Sequence, residues 1–206
     1  KKCKIIYELT GELPEILSDI SDQDFTTEAN MQSGHEFANS EIKKIIEELR
    51  RPMQNLLTQM HDKINAGEYQ LLIGGDASGR IPTLIFDKVI KRIYKEKGFK
   101  TPRTMSAFIA GGRNYDEPEG TKEDKIKAHI RKNYVGDNLK DGGRVLIIED
   151  TVASGASIMP LVDALKEMGI MFDVATIGFA GTDARFIEGQ LGGKMYFAVD
   201  YTPQYI

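Results

Sequence analysis

At 206 residues, 41% hydrophobic and 28% charged, the chain has the balance of a globular protein with enough apolar material for one buried core. Its net charge of −4 gives no support to a nucleic-acid footprint, so an anionic ligand would have to be held by a local site. The single cysteine, Cys3, excludes an intramolecular disulfide and suits a reducing cytoplasm; His35, His61 and His129 stand too far apart for metal-ligand spacing, and no apolar run reaches the roughly eighteen residues of a membrane span.

Residues 10–40 are acidic and polar and predict no firm element. From Asn39 onward the pattern changes: Ile42, Ile45, Ile46, Leu49, Met53, Leu56, Leu57, Met60 and Ile64 recur at steps of three and four, one face of an amphipathic helix. Pro52 should kink or split that helix, and Gly67 should end it. The apolar face is expected to pack on a sheet or on a second copy of the chain, as in a homodimer. A first strand, YQLLIGG, runs into the loop DASGRIP and a helix from about Pro82 to Lys97, closed by Gly98. TMSAFIAGG predicts a second strand, and the charged residues 113–141 follow, with a short polar helix from Lys122 to Tyr134. RVLIIED is a third strand, Ser157 to Met168 a helix ended by Gly169, and FDVATIGFAG and KMYFAVD two more strands around a short helix at Asp183 to Glu188. Continuously apolar strands alternating with helices make this an α/β protein with a parallel sheet covered on both faces. Residues 1–66 form a partly helical N-terminal segment and 67–206 the α/β domain.

The unusual residues gather at the carboxyl ends of these strands, where such sheets bind ligands. In VLIIEDTVASGAS, four apolar residues deliver Glu149 and Asp150 to a strand end, and a run of small residues leads into a helix. Small side chains let backbone N–H groups approach a phosphate, and the helix N-terminus adds partial positive charge. Carboxylates beside such a loop would repel the phosphate itself but can accept hydrogen bonds from sugar hydroxyls. The stretch therefore reads as a ribose-phosphate holder. An apolar strand ending in acids also occurs in P-loop ATPases, but the chain has no G-x-x-x-x-G-K-[ST]. A receiver domain would place its acids near the start of the fold, leaving too little chain after Asp150. A plain strand, polar turn and serine-capped helix needs no ligand at all.

The thirteen residues from Val145 to Ser157 resemble the phosphoribosyl-pyrophosphate motif of type I phosphoribosyltransferases, with Ser154 where threonine is more usual and Ala156 where glycine is common. The order of features from about Tyr69 to Asp200 resembles that family more loosely. The resemblance implies a type I phosphoribosyltransferase-like, Rossmann-like fold and transfer of ribosyl 5-phosphate to a nitrogen acceptor, with pyrophosphate leaving. It places Glu149 and Asp150 on the ribose hydroxyls, with Asp150 a candidate base, and Thr151, Ala153, Ser154, Gly155, Ala156 and Ser157 on the 5-phosphate. Asp76, Ala77, Ser78, Gly79 and Arg80 would surround the pyrophosphate, where Arg80 offers a fork suited to phosphate. Arg113, Asn114 and Tyr115 fall at the start of a mobile loop, and Tyr196, Phe197 and Asp200 near a base, although a Tyr/Phe/Val strand is more often simply a core strand. Mg2+ would enter mainly through the substrate. The same fold serves regulators that bind phosphoribosyl pyrophosphate without turnover, and a phosphoribosyl-pyrophosphate synthetase shares the ribose-phosphate loop in a longer, two-domain chain.

Overall fold

The computed structural model describes residues 39–75, 79–106, 143–181 and 183–200, with residues 124, 128 and 139. Along the chain run α1 (Asn39–Gln59), α2 (His61–Asn65), β1 (Tyr69–Gly74), α3 (Arg80–Lys97), β2 (Arg103–Ser106), β3 (Arg144–Val152), α4 (Met159–Glu167), β4 (Phe172–Phe179), α5 (Ala184–Leu191) and β5 (Lys194–Asp200). Asp124 and Ala128 are helical; the rest of the polar helix expected at 122–134, and the end of the second strand beyond Ser106, lie outside the described residues.

The five strands form one parallel sheet in the order β2-β1-β3-β4-β5. The register runs Ile73↔Ile147, Ile147↔Val174 and Val174↔Met195 across the four strands from β1 to β5. Alternate residues feed two cores. On one face Leu72, Leu146, Ile148 and Tyr196 meet α1 and α3 through Met53, Leu56, Phe86 and Ile90. On the other, Leu71, Ile73, Val145, Ile147 and Val174 meet α4 and α5 through Leu161, Val162, Leu165, Ile187 and Leu191. Helices on both faces explain why the strands read as unbroken apolar runs.

The apolar face of α1 packs on the sheet: Met53 and Leu56 are fully buried, each worth about 1.5–3 kcal/mol by the surface it removes from water. Its side-chain amides also reach the β5 backbone, Asn55 Nδ2 donating to Ala198 O and Gln59 Nε2 to Phe197 O, both at 2.9 Å. The expected break at Pro52 does not occur. α1 continues through Pro52 and gives way to α2 at Met60. The carbonyl that Pro52 leaves without an N–H partner belongs to Glu48, which faces solvent, and Met53 beside it is buried.

At the amino end of the sheet, fully buried Asp173 accepts hydrogen bonds from the Tyr69 hydroxyl at 2.9 Å, Lys63 Nζ at 2.7 Å and Arg144 at 3.2 Å. Burial, and then the neighbouring Asp173 charge, push the Tyr69 hydroxyl far above its ordinary range. The Tyr69 N–H donates to Tyr94 Oη at 2.9 Å, and burial pushes the Tyr94 hydroxyl up to about 12. Among the described residues no helix is long and apolar enough to cross a membrane.

Candidate functional site

β1 and β3 lie side by side, yet the helices that follow them cover opposite faces of the sheet: α3 packs in one core and α4 in the other. Where successive connections part in this way, a crevice opens between the carboxyl ends of the two strands. Gly75 and Gly79, after β1, and the motif at the end of β3 lie at that point of the sheet.

The chain just after β1 is fastened to β3. Gly75 N–H donates to Ile148 O at 2.8 Å. A Cβ on Gly75 would overlap the carboxyl group of Glu149, so that largely buried carboxylate rests directly against the glycine. At the far end of the loop a Cβ on Gly79 would come within 3.0 Å of Ile148 O. Buried Thr83, from the first turn of α3, spans both ends. Its hydroxyl donates to Gly79 O at 2.7 Å and lies 2.5 Å from where a Gly74 Cβ would project. The sequence reading missed Thr83; the signal available was a hydroxyl four residues after Gly79, the spacing at which threonine back-bonds to a helix carbonyl.

The motif differs from expectation in one respect. β3 does not end at the acids but continues to Val152, because Thr151 and Val152 pair with Gly178 and Phe179 of β4. Glu149 and Asp150 are therefore neighbours within a strand and project toward opposite faces, Glu149 with Ile147 and Asp150 with Ile148. Asp150 is partly exposed, and its Oδ1 accepts from Thr151 N–H at 2.6 Å.

Beyond Val152 the loop is open to solvent at Ala153, Ser154, Ala156 and Ser157. Gly155 is buried with φ +75°, a conformation that disfavours any side chain. Its carbonyl accepts from Ile158 and Met159 N–H at 3.1 and 3.2 Å, and Ala156 N–H donates to Ser154 Oγ at 3.3 Å. α4 begins at Met159, two residues later than its sequence suggests, with no side-chain cap. Gly181 supports the loop from beneath, since a Cβ there would fall 2.5 Å from Ala153 O.

The remaining candidates are spread out. Arg80 is the first residue of α3. Asp76, Ala77, Ser78, Arg113, Asn114 and Tyr115 lie outside the described residues. Tyr196 is in the core below α1, with Lys63 Nζ 5.6 Å from its ring centroid, and Phe197 packs on Phe179 at 5.4 Å. Asp200 is exposed at the carboxyl end of β5, opposite Phe179. β5 is two strands away from β3, roughly 10 Å across the sheet.

No group of three or more His, Cys, Asp or Glu residues able to hold a metal occurs among the described residues. Two carboxylates at one crevice do suit Mg2+, which keeps much of its water and is commonly held by one or two carboxylates together with substrate phosphates.

No family model matches the chain. It is similar to orotate phosphoribosyltransferases over about a third of its length. With that of Staphylococcus saprophyticus it is 31% identical over 71 residues, 32% of this chain and 35% of that protein. With that of Nostoc it is 32% identical over 71 residues, 34% of each. The chain thus spans about a third of the length of these curated relatives. Among solved structures, it aligns with the orotate phosphoribosyltransferase of Aeropyrum pernix at a TM-score of 0.41 and 14% identity, covering 79% of this chain and 72% of that one. It aligns with the purine phosphoribosyltransferase of Pyrococcus horikoshii at 0.40 and 14%, covering 72% and 82%.

Proposed function

We propose that this chain transfers ribosyl 5-phosphate from phosphoribosyl pyrophosphate to a ring nitrogen of a base, releasing pyrophosphate. The observation that supports the reading is at the carboxyl ends of β1 and β3, where Gly75 and Gly79 lie against Glu149, Thr83 holds Gly79, and Asp150 leads into the Gly155 turn. The relatives' names support the same chemistry and make orotate the first acceptor to try.

In this reading the Ser154–Ser157 loop takes the 5-phosphate through backbone N–H groups and serine hydroxyls, and the two acids take the ribose hydroxyls. The bond from the anomeric carbon to the pyrophosphate oxygen breaks with its electron pair leaving on pyrophosphate, and the acceptor nitrogen forms the new bond. The 76–80 loop and Arg80 stabilise the growing charge on the leaving group, and the acids stabilise the positive ring. Asp150 takes the proton that the acceptor nitrogen releases. Mg2+, bound mainly by the substrate with Glu149 and Asp150 nearby, would supply further charge neutralisation on the pyrophosphate. A reducing cytoplasm suits such an enzyme.

The test is pyrophosphate release with phosphoribosyl pyrophosphate, Mg2+ and a panel of bases, beside calorimetric binding of phosphoribosyl pyrophosphate alone. Release that depends on one base is expected. Binding with no release for any base would make the chain a regulator, and no binding would end the reading. Arg80→Ala should reduce turnover by about 2–4 kcal/mol in activation free energy while leaving ribose 5-phosphate affinity unchanged.

A further inference from the structure

The opposite end of the sheet carries a second concavity, a groove of about 760 Å³ at the amino ends of β3, β4 and β5 and along one face of α5. Small-molecule sites commonly occupy about 300–1,000 Å³. Five cationic side chains line it, those of Lys63, Arg144, Lys166, Arg185 and Lys194, against the two carboxylates of Asp173 and Glu188. This concentration runs against the chain's net charge of −4.

Part of that charge has a structural task. Lys63 and Arg144 hold Asp173, Arg144 also bonds Glu68, and Lys194 pairs with Glu188 at 3.1 Å. The carboxyl ends of α4 and α5 also point this way, and free carbonyls there would attract cations and repel an anion. The fold satisfies several of those carbonyls. Ala164, Leu165 and Lys166 O accept from Met168, Ile170 and Gly169 N–H at 3.2, 2.9 and 2.9 Å. On α5, Glu188 O accepts from Gly192 N–H and Gln190 O from the Lys166 ammonium, both at 2.9 Å. The Arg185 guanidinium has no partner among the described residues, and the ammonium groups of Lys166 and Lys194 retain further donors.

The floor of the groove adds a second observation. Gly189 lies inside α5, is exposed, and meets nothing within 4 Å of where a Cβ would project. A helical glycine is less favourable than alanine, and here no packing contact offsets it. Its effect is to leave the helix surface bare one turn beyond Arg185, beside Glu188. Arg185 stands in the first turn of α5, and Lys194, the first residue of β5, reaches back to Glu188 on the same helix, so both cations line the one groove.

We propose that this groove is a second anion site, separate from the β1/β3 crevice, for a chain of phosphates such as a nucleotide's triphosphate tail or inorganic polyphosphate. It does not depend on the transferase reading. The experiment is an NMR titration of the isotope-labelled chain with inorganic tripolyphosphate at physiological ionic strength. Saturable shifts are expected at the Gly169, Gly189, Gly192 and Gly193 amides, half-complete below about 1 mM. The double substitution Arg185→Glu with Lys194→Glu should weaken this binding at least about tenfold. Gly189→Gln keeps every charge but fills the floor; it should weaken binding about tenfold while its melting temperature stays level or rises. Asp150→Asn should leave these shifts unchanged. A parallel titration with ATP separates the sources: tighter binding than tripolyphosphate assigns a nucleotide, and equal binding a bare phosphate chain. Shifts confined to Gly75 and Gly155, or binding indifferent to both groove variants, would overturn the proposal.

Discussion

At the amino end of the sheet, Asp173 is fully buried and accepts from a tyrosine hydroxyl, an ammonium and a guanidinium, contributed by β1, α2 and β3. At the carboxyl end, Asp150 is partly exposed and accepts one hydrogen bond among the described residues, from the main chain of the next residue. Both carboxylates sit on central strands of one sheet, so their surroundings differ through their neighbours and not through the fold. A carboxylate whose acceptor positions are filled by side chains holds elements together. One that keeps lone pairs unspent beside two glycine loops is available to a ligand.

The contrast can be broken most directly at Asp173. Asp173→Ala would leave Lys63 and Arg144 without their buried partner, and the stability loss should be about 3–5 kcal/mol, read by denaturant unfolding. A loss under about 1 kcal/mol would mean that water already serves the network. Asp150→Asn should do the reverse, lowering turnover on the order of a hundredfold while unfolding free energy stays within about 0.5 kcal/mol. Gly75→Ala sharpens the comparison further. The Cβ would displace the tip of a flexible side chain, Glu149, so stability should change by less than about 1 kcal/mol. The displaced carboxylate should nevertheless cost about tenfold in turnover.

The smallest expected effect concerns pH. Burial pulls the Glu188 carboxyl upward, but hydrogen bonds from Met195 N–H and Lys194, with the Lys194 charge, outweigh it and leave the group below its ordinary 4.5. A depressed carboxyl stabilises the fold fully above the unfolded value and loses that contribution as pH falls through the folded one. Wild type should therefore lose stability more steeply than Glu188→Gln below about pH 4.5. Parallel slopes would show that Lys194 and Glu188 are solvated apart.

The strands and the helices on both faces were legible because apolar runs and steps of three and four report burial directly. Strand order was not, since periodicity carries no record of which strands are neighbours. The break at Met60 was hidden behind Pro52, whose lost hydrogen bond is harmless when its carbonyl faces water. The continuation of β3 past Asp150 depends on pairing with Gly178 and Phe179, residues far along the chain. The Asp173 network left only one acid in an apolar strand to notice, because Lys63, Tyr69 and Arg144 come from three distant elements. At the candidate site, the acids and glycines declared themselves by type, whereas Thr83 and Gly181 matter through contacts that only the folded chain creates.

The central claim is that the crevice between β1 and β3 holds a ribose phosphate. A crystal structure with ribose 5-phosphate bound tests it most directly. The phosphate should lie against the Ser154–Ser157 backbone with the sugar hydroxyls on Glu149 and Asp150. Density for the sugar phosphate at another end of the sheet, or none at a concentration that saturates binding in solution, would contradict the account.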